Sequence, residues 1–194
     1  MTMLRREAPE LLPTADLAAA RHTLESYSPE DPDQHEMRRR TLELIARHPD
    51  DAHLRSSLEG HLTASALVVS PDGARVLLTH HKKLDRWLQL GGHCDGDANL
   101  PGVALREALE EGGIVDLEID PRVIDVDIHP IPARGEVPEH LHYDTRFLVR
   151  ARRNAAPVVS EESNDVRWLG AEEALEQVED GSLQRLLRWW IGRR

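Results

Sequence analysis

Three glutamates, Glu107, Glu110 and Glu111, follow Arg106 in the stretch "REALEEGGI". At helical spacing the three share one arc, while Leu105 and Leu109 point to the opposite side. Like charges three and four residues apart on a helix repel by ~0.2–0.5 kcal/mol per pair in water, so something should offset them. Carboxylates converging in a partly desolvated place raise each other's pKa unless a divalent cation neutralises them. Hard oxygen ligands in that number suit Mg²⁺ or Mn²⁺. Arg106 lies four residues before Glu110 and is expected to pair with it, holding that carboxylate in one orientation.

A second constellation lies in "HLHYDTRFLV". Read as a strand, it puts His140, His142, Asp144 and Arg146 on one face and Leu141, Tyr143, Thr145 and Phe147 on the other. Two imidazoles two residues apart can be presented together to a transition metal or an anion. The four polar residues are expected to line a substrate cavity, with a zinc site as the sharper reading, and His93 could point into the same space. His80, His81, Lys82 and Lys83 form a basic cluster able to meet substrate phosphates, although a solvated strand end would carry the same residues. Trp87, near that cluster, is expected in the core rather than stacked on a base.

The elements that must position these groups are signalled locally. Asn99 is a suitable N-cap for the glutamate helix, Pro101 fits its first turn, and Gly112-Gly113 supplies a left-handed terminator. Ahead of it, "LTASALVVSPDGARVLLTH" reads as two strands around a Pro71-Asp72-Gly73 turn. "VIDVDIHPI" alternates with the period of a half-buried strand, and "DVRWL" reads as a further short one. Helices are expected over Ala171 to Val178 and Ser182 to Ile191, the second burying Leu183, Leu186, Leu187, Trp190 and Ile191. The first 60 residues read as a helical extension, in which Met37, Leu42, Ile45 and Ala46 can share a face; residues 61–194 hold the sheet.

With 24 basic against 35 acidic residues, the chain's net charge of -11 opposes tracking along a nucleic-acid polymer. A small anion held through a metal remains compatible with that charge. Cys94, the single cysteine, forms no internal disulfide. The N-terminal stretch lacks the apolar core of a signal peptide and no later run approaches a membrane span, so a cytoplasmic location is expected.

The stretch from Gly92 to Ile114 resembles the Nudix box: a glycine, five residues, a glutamate, seven residues, then Arg-Glu-apolar-any-Glu-Glu-any-Gly-apolar. Gly92, Arg106, Glu107, Ala108, Glu110, Glu111, Gly113 and Ile114 match. The first box glutamate falls on Ala98, with Asp95 and Asp97 nearby, so the box resembles a variant carried by a bacterial subgroup of the family. The resemblance implies an α/β fold, an α/β/α sandwich around a mixed sheet, and hydrolysis of a phosphoanhydride in a nucleoside diphosphate linked to another moiety, or in a related small diphosphate. It implies Mg²⁺ or Mn²⁺ held by Glu107, Glu110 and Glu111, with the Gly92 carbonyl as a further ligand. Catalytic roles then fall to Glu107 and Arg106, and to Glu161 or Glu162 for orienting the attacking water. A homodimer is the family expectation. Two rival readings are a ligand-binding module that has lost catalysis, motivated by Ala98, and a prenyl diphosphate isomerase, which would need Cys94 as a reactive thiol.

Overall fold

The computed structural model describes residues 2–193. Its centre is β1 (Gly60–Val69), buried along its whole length because strands flank it on both edges and helices cover both faces. One edge of β1 runs parallel to β6 (His140–Ala151), in register from Gly60↔Leu141 to Val69↔Arg150. Its other edge is divided. β2 (Arg75–His81) takes the Val68–Val69 end, and β4 (Leu90–His93) takes Thr63 to Ala66. β3 (Arg86–Leu88) and β7 (Ser163–Gly170) pair with β2, and β5 (Leu117–Ile131) pairs antiparallel with β6. The result is a seven-stranded mixed sheet.

Helices lie on both faces, as the sandwich expectation required. On one side α3 (Leu100–Gly112) packs with α1 (Leu17–Glu25) and α2 (Pro32–Arg47) over a single apolar cluster. On the other, α4 (Ala171–Gln177) and α5 (Gly181–Ile191) cover Leu67, Val69, Val76 and Leu78. Trp190 of α5 is buried there and Trp87 packs against the same cluster.

The N-terminal helices are stitched to the sheet's open edge. Gln34 of α2 donates to the Val126 carbonyl at 2.9 Å and accepts the Val126 N–H at 2.8 Å, so one side chain stands in for the missing neighbour strand. Leu4 adds a backbone bridge to Ile119. This docking rotates α2 away from the expected face: Gln34, Thr41, Leu44 and Ile45 are buried, whereas Ala46 is exposed. β5 also begins earlier than its alternating stretch suggests, its register shifting around Pro121, which has no N–H to give the ladder. Among the described residues no helix is long and apolar enough to cross a membrane.

Candidate active site

The glutamate helix is placed by its ends. Asn99 Oδ1 accepts the Gly102 N–H at 3.1 Å, and Gly113, at φ 63°, stops the helix in the left-handed conformation that glycine adopts without strain. Val103, Ala104, Leu105 and Ala108 bury one face and aim the opposite one at β4.

There, two glycines admit two carboxylates. A Cβ at Gly92 would sit 2.7 Å from Glu107 Cδ, so the missing side chain is the space the carboxyl group occupies. The Gly91 N–H donates to Glu111 at 3.0 Å, while a Cβ at Gly91 would meet Ser65 of β1. Glu107 is 13% exposed in its side chain and Glu110 62%, so two of the three carboxylates are drawn in and one stays in water. Burial pushes Glu111 up to about 7, with Glu107, Glu162 and Glu110 adding repulsion; burial also raises Glu107.

Arg106 pairs with Glu110 at 3.8 Å, as expected, but lies closer to Glu107, at 2.6 Å, and donates to the His93 carbonyl at 3.0 Å. The guanidinium therefore ties Glu107 to the glycine strand and reaches the exposed Glu110 as well.

Ala98 has a structural reason. It is fully buried, and its N–H donates to the Thr14 carbonyl at 2.5 Å. Asn99 Nδ2 donates to the Glu10 and Leu12 carbonyls, and the Thr14 N–H donates to Asp97 at 3.1 Å. The N-terminal segment thus docks against residues 97–99, and a carboxylate at the fully buried position of Ala98 would be desolvated. Asp97 is committed to Thr14 and Asn99, and Asp95 to Arg55 at 2.5 and 2.7 Å.

Glu161 and Glu162 are both exposed, in the turn before β7. Glu162 is the one whose charge acts on Glu111, on Arg55 and on His81. Its carbonyl accepts the Lys82 N–H at 2.9 Å, which brings the basic β2–β3 turn to the same rim. Lys82 and Lys83 are exposed, and His80 contacts Asn164, Asp85 and the Trp87 ring. Cys94 is 1% exposed and its thiol is pushed well above the usual range by burial, which removes it as a nucleophile.

The polar face of β6 does continue without a break, but its two ends differ. Asp144 and Arg146 are both 2% exposed. Asp144 accepts from Thr63, Ser65 and Arg146, and Arg146 also meets Asp125, Asp127 and Ser182 of α5. Arg185 closes the network on Asp125 and Asp127. These two residues spend their donors and acceptors on the protein itself.

At the other end His140 and His142 meet three more imidazoles. His61 lies 5.0 Å from His140 and 4.9 Å from His142 between ring centroids; His93 lies 4.8 Å and His129 5.6 Å from His142. His93 joins as expected. His61 and His129 escape sequence reasoning, because only the β1–β6 and β5–β6 registers, His61↔His142 and His129↔His142, bring them in. A surface cleft of about 1420 Å³ lies elsewhere, bordered by Tyr27, Asp125, Arg150, Arg185 and Trp189, and none of the α3 glutamates lines it.

No curated protein matches the chain. Among solved structures it is similar to the C. elegans Ap4A hydrolase in a binary complex, at 20% identity and TM-score 0.56, covering 68% of this chain and 96% of that one. It is likewise similar to the E. coli dihydroneopterin triphosphate pyrophosphohydrolase, at 18% identity and TM-score 0.56, covering 69% and 96%. Those likenesses establish the fold. The family model described as NUDIX domain matches residues 60–190, a span that takes in the sheet, the glycine strand and the carboxylate helix, and the chain belongs to that family.

Proposed function

We propose that the protein is a divalent-cation-dependent hydrolase that cleaves a phosphoanhydride bond in a nucleoside diphosphate linked to another moiety, or in a related small diphosphate. The observation that carries this is the pair of drawn-in carboxylates on α3, Glu107 and Glu111, set against a strand whose glycines make room for them. Burial disfavours both as anions, and one arginine on Glu107 does not balance them together with Glu110. The donor set is all hard oxygen, which fits Mg²⁺ or Mn²⁺, with Glu107, Glu110, Glu111 and the Gly92 carbonyl as its holders. A cation bound there supplies polarisation of a phosphoryl oxygen and a water of lowered pKa.

The chain's own residues supply the rest. Arg106 fixes the orientation of Glu107. Glu162, electrostatically coupled to Glu111, is the better placed of the two turn glutamates to take the water's proton as its oxygen bonds to phosphorus and the anhydride P–O bond breaks. Lys82, Lys83 and His80 on the neighbouring turn meet substrate phosphates. The names of the two fold neighbours, a hydrolase and a triphosphate pyrophosphohydrolase, agree with this class of chemistry.

A catalytically silent binding module is the second reading, favoured by Ala98. Against it, Glu107, Glu110 and Glu111 are all kept, and Ala98 is buried beside the docked N-terminal segment. Turnover of a panel of nucleoside diphosphate sugars, dinucleotides, nucleoside triphosphates and small organic diphosphates with Mg²⁺ or Mn²⁺ tests the choice. Glu111→Gln is expected to lower kcat at least about 100-fold, as removal of a transition-state charge stabiliser does. Silence of the wild type across the panel, with cation binding intact, would leave the binding module.

A further inference from the structure

Histidines gathered from separate strands, with ring nitrogens left idle, are not explained by a hydrolase that works through carboxylates. We infer that His61, His140 and His142 form a second, nitrogen-ligated metal site for Zn²⁺ or a similar borderline transition ion, separate from the α3 carboxylates and adjacent to them through β4.

Geometry comes first. Among the described residues, one ring nitrogen from each of the three histidines lies within 4.8 Å of the others. A tetrahedral zinc site with Zn–N bonds of ~2.0–2.1 Å needs N···N separations of about 3.3–3.4 Å, a closure that small side-chain rotations supply. His93, with its ring centroid 4.8 Å from that of His142 and 5.1 Å from that of His61, stands where a fourth ligand would come from.

The second observation is the state of the nitrogens. His61 is 3% exposed, and apart from a contact with the Ser57 backbone neither of its ring nitrogens makes a hydrogen bond; His142 Nε2 is also buried without a partner. A buried polar atom left unsatisfied costs about 1–3 kcal/mol, so two such rings side by side call for a ligand. His140 is already oriented for one: its Nδ1 lies 2.9 Å from the Pro138 carbonyl, so Nδ1 carries the proton and donates, leaving the Nε2 lone pair free. His129, held through Nδ1 to Asp127 at 3.0 Å, flanks His142 as an outer support.

The donor type separates a metal from an anion, because the clustered groups are all imidazoles. Neutral imidazoles offer lone pairs to a borderline cation and little to a phosphate. Mg²⁺ prefers oxygen and leaves such a site alone, so the two sites sort their metals by donor type.

The test uses the full chain, stripped of metal by chelator and dialysed into millimolar Mg²⁺. Titration with Zn²⁺ followed by calorimetry, and with Co²⁺ followed by its visible d–d bands, is expected to show one tight equivalent with a nitrogen-ligated, four- or five-coordinate spectrum. His140→Ala, at a half-buried ring, and His142→Ala should each weaken binding by at least tenfold, whereas Glu111→Gln should leave it unchanged. Absence of tight binding overturns the inference. So does Zn²⁺ binding that Glu111→Gln abolishes and His140→Ala spares, because the ion would then sit among the carboxylates. Because the readout is binding and not turnover, failure here leaves the hydrolase reading to be judged by its own panel.

Discussion

The polar face shared by β1, β5 and β6 has two halves built from the same kinds of residue and satisfied in opposite ways. Towards α5, Arg146 and Arg185 are matched to Asp125, Asp127 and Asp144, and Thr63, Ser65 and Ser182 complete the set. Towards β4, five imidazoles face each other; His142 Nε2 is buried without a hydrogen-bond partner, and the His61 ring has none beyond its contact with the Ser57 backbone. Polarity and burial therefore do not distinguish structure from function on this sheet. What distinguishes them is whether the protein supplies the partner, because a closed network has no capacity left for a ligand and an open one has.

The largest expected effect is in the closed half. Arg146→Met leaves Asp125, Asp127 and Asp144 short of a guanidinium they all contact, and should lower unfolding free energy by about 3–5 kcal/mol in denaturant titration, with or without Zn²⁺. A loss below ~1 kcal/mol would mean that the network is not a structural fixture. In the open half, His61→Leu replaces a buried ring, whose nitrogens have no partner beyond the Ser57 backbone, by an apolar side chain of comparable size. Metal-free stability should then stay within about 1 kcal/mol of wild type or rise, while the melting-temperature gain on adding Zn²⁺ disappears. A large loss in the metal-free protein would place His61 among the structural residues and erase the contrast.

The smallest effect comes from a histidine that does have partners. His48 lies 2.9 Å from Glu59 and 3.2 Å from Asp51, and its pKa is raised, first by the Glu59 hydrogen bond. A raised histidine contributes stability fully below its unfolded value near 6.5 and loses it as pH rises through the folded value. His48→Ala should thus lower stability by a few tenths of a kcal/mol at pH 5.5 and by less at pH 8.5, as suits a half-exposed pair. An effect that grows with pH would contradict the assignment.

Much of the candidate site is legible because its signals are local. The N-cap Asn99, the terminator Gly113 and the three-and-four spacing of Glu107, Glu110 and Glu111 all act within four residues, and the structure realises each of them. Helix spacing gives the Arg106–Glu110 pair but not the closer Glu107 contact or the bond to the His93 carbonyl, which depends on where β4 lies. The alternation on β6 correctly grouped His140, His142, Asp144 and Arg146 on one face, yet nothing in that segment reveals that α5 seals one end of it.

Sequence by itself determined the carboxylate helix, its caps and the strand periods, since each depends on backbone propensity and short-range spacing. Tertiary structure alone decided that the N-terminal segment docks beside Ala98, and that His61 and His129 meet His142. Those encounters join residues from separate strands, and strand order and register are set by the packing of the whole sheet, which no short stretch of the chain encodes.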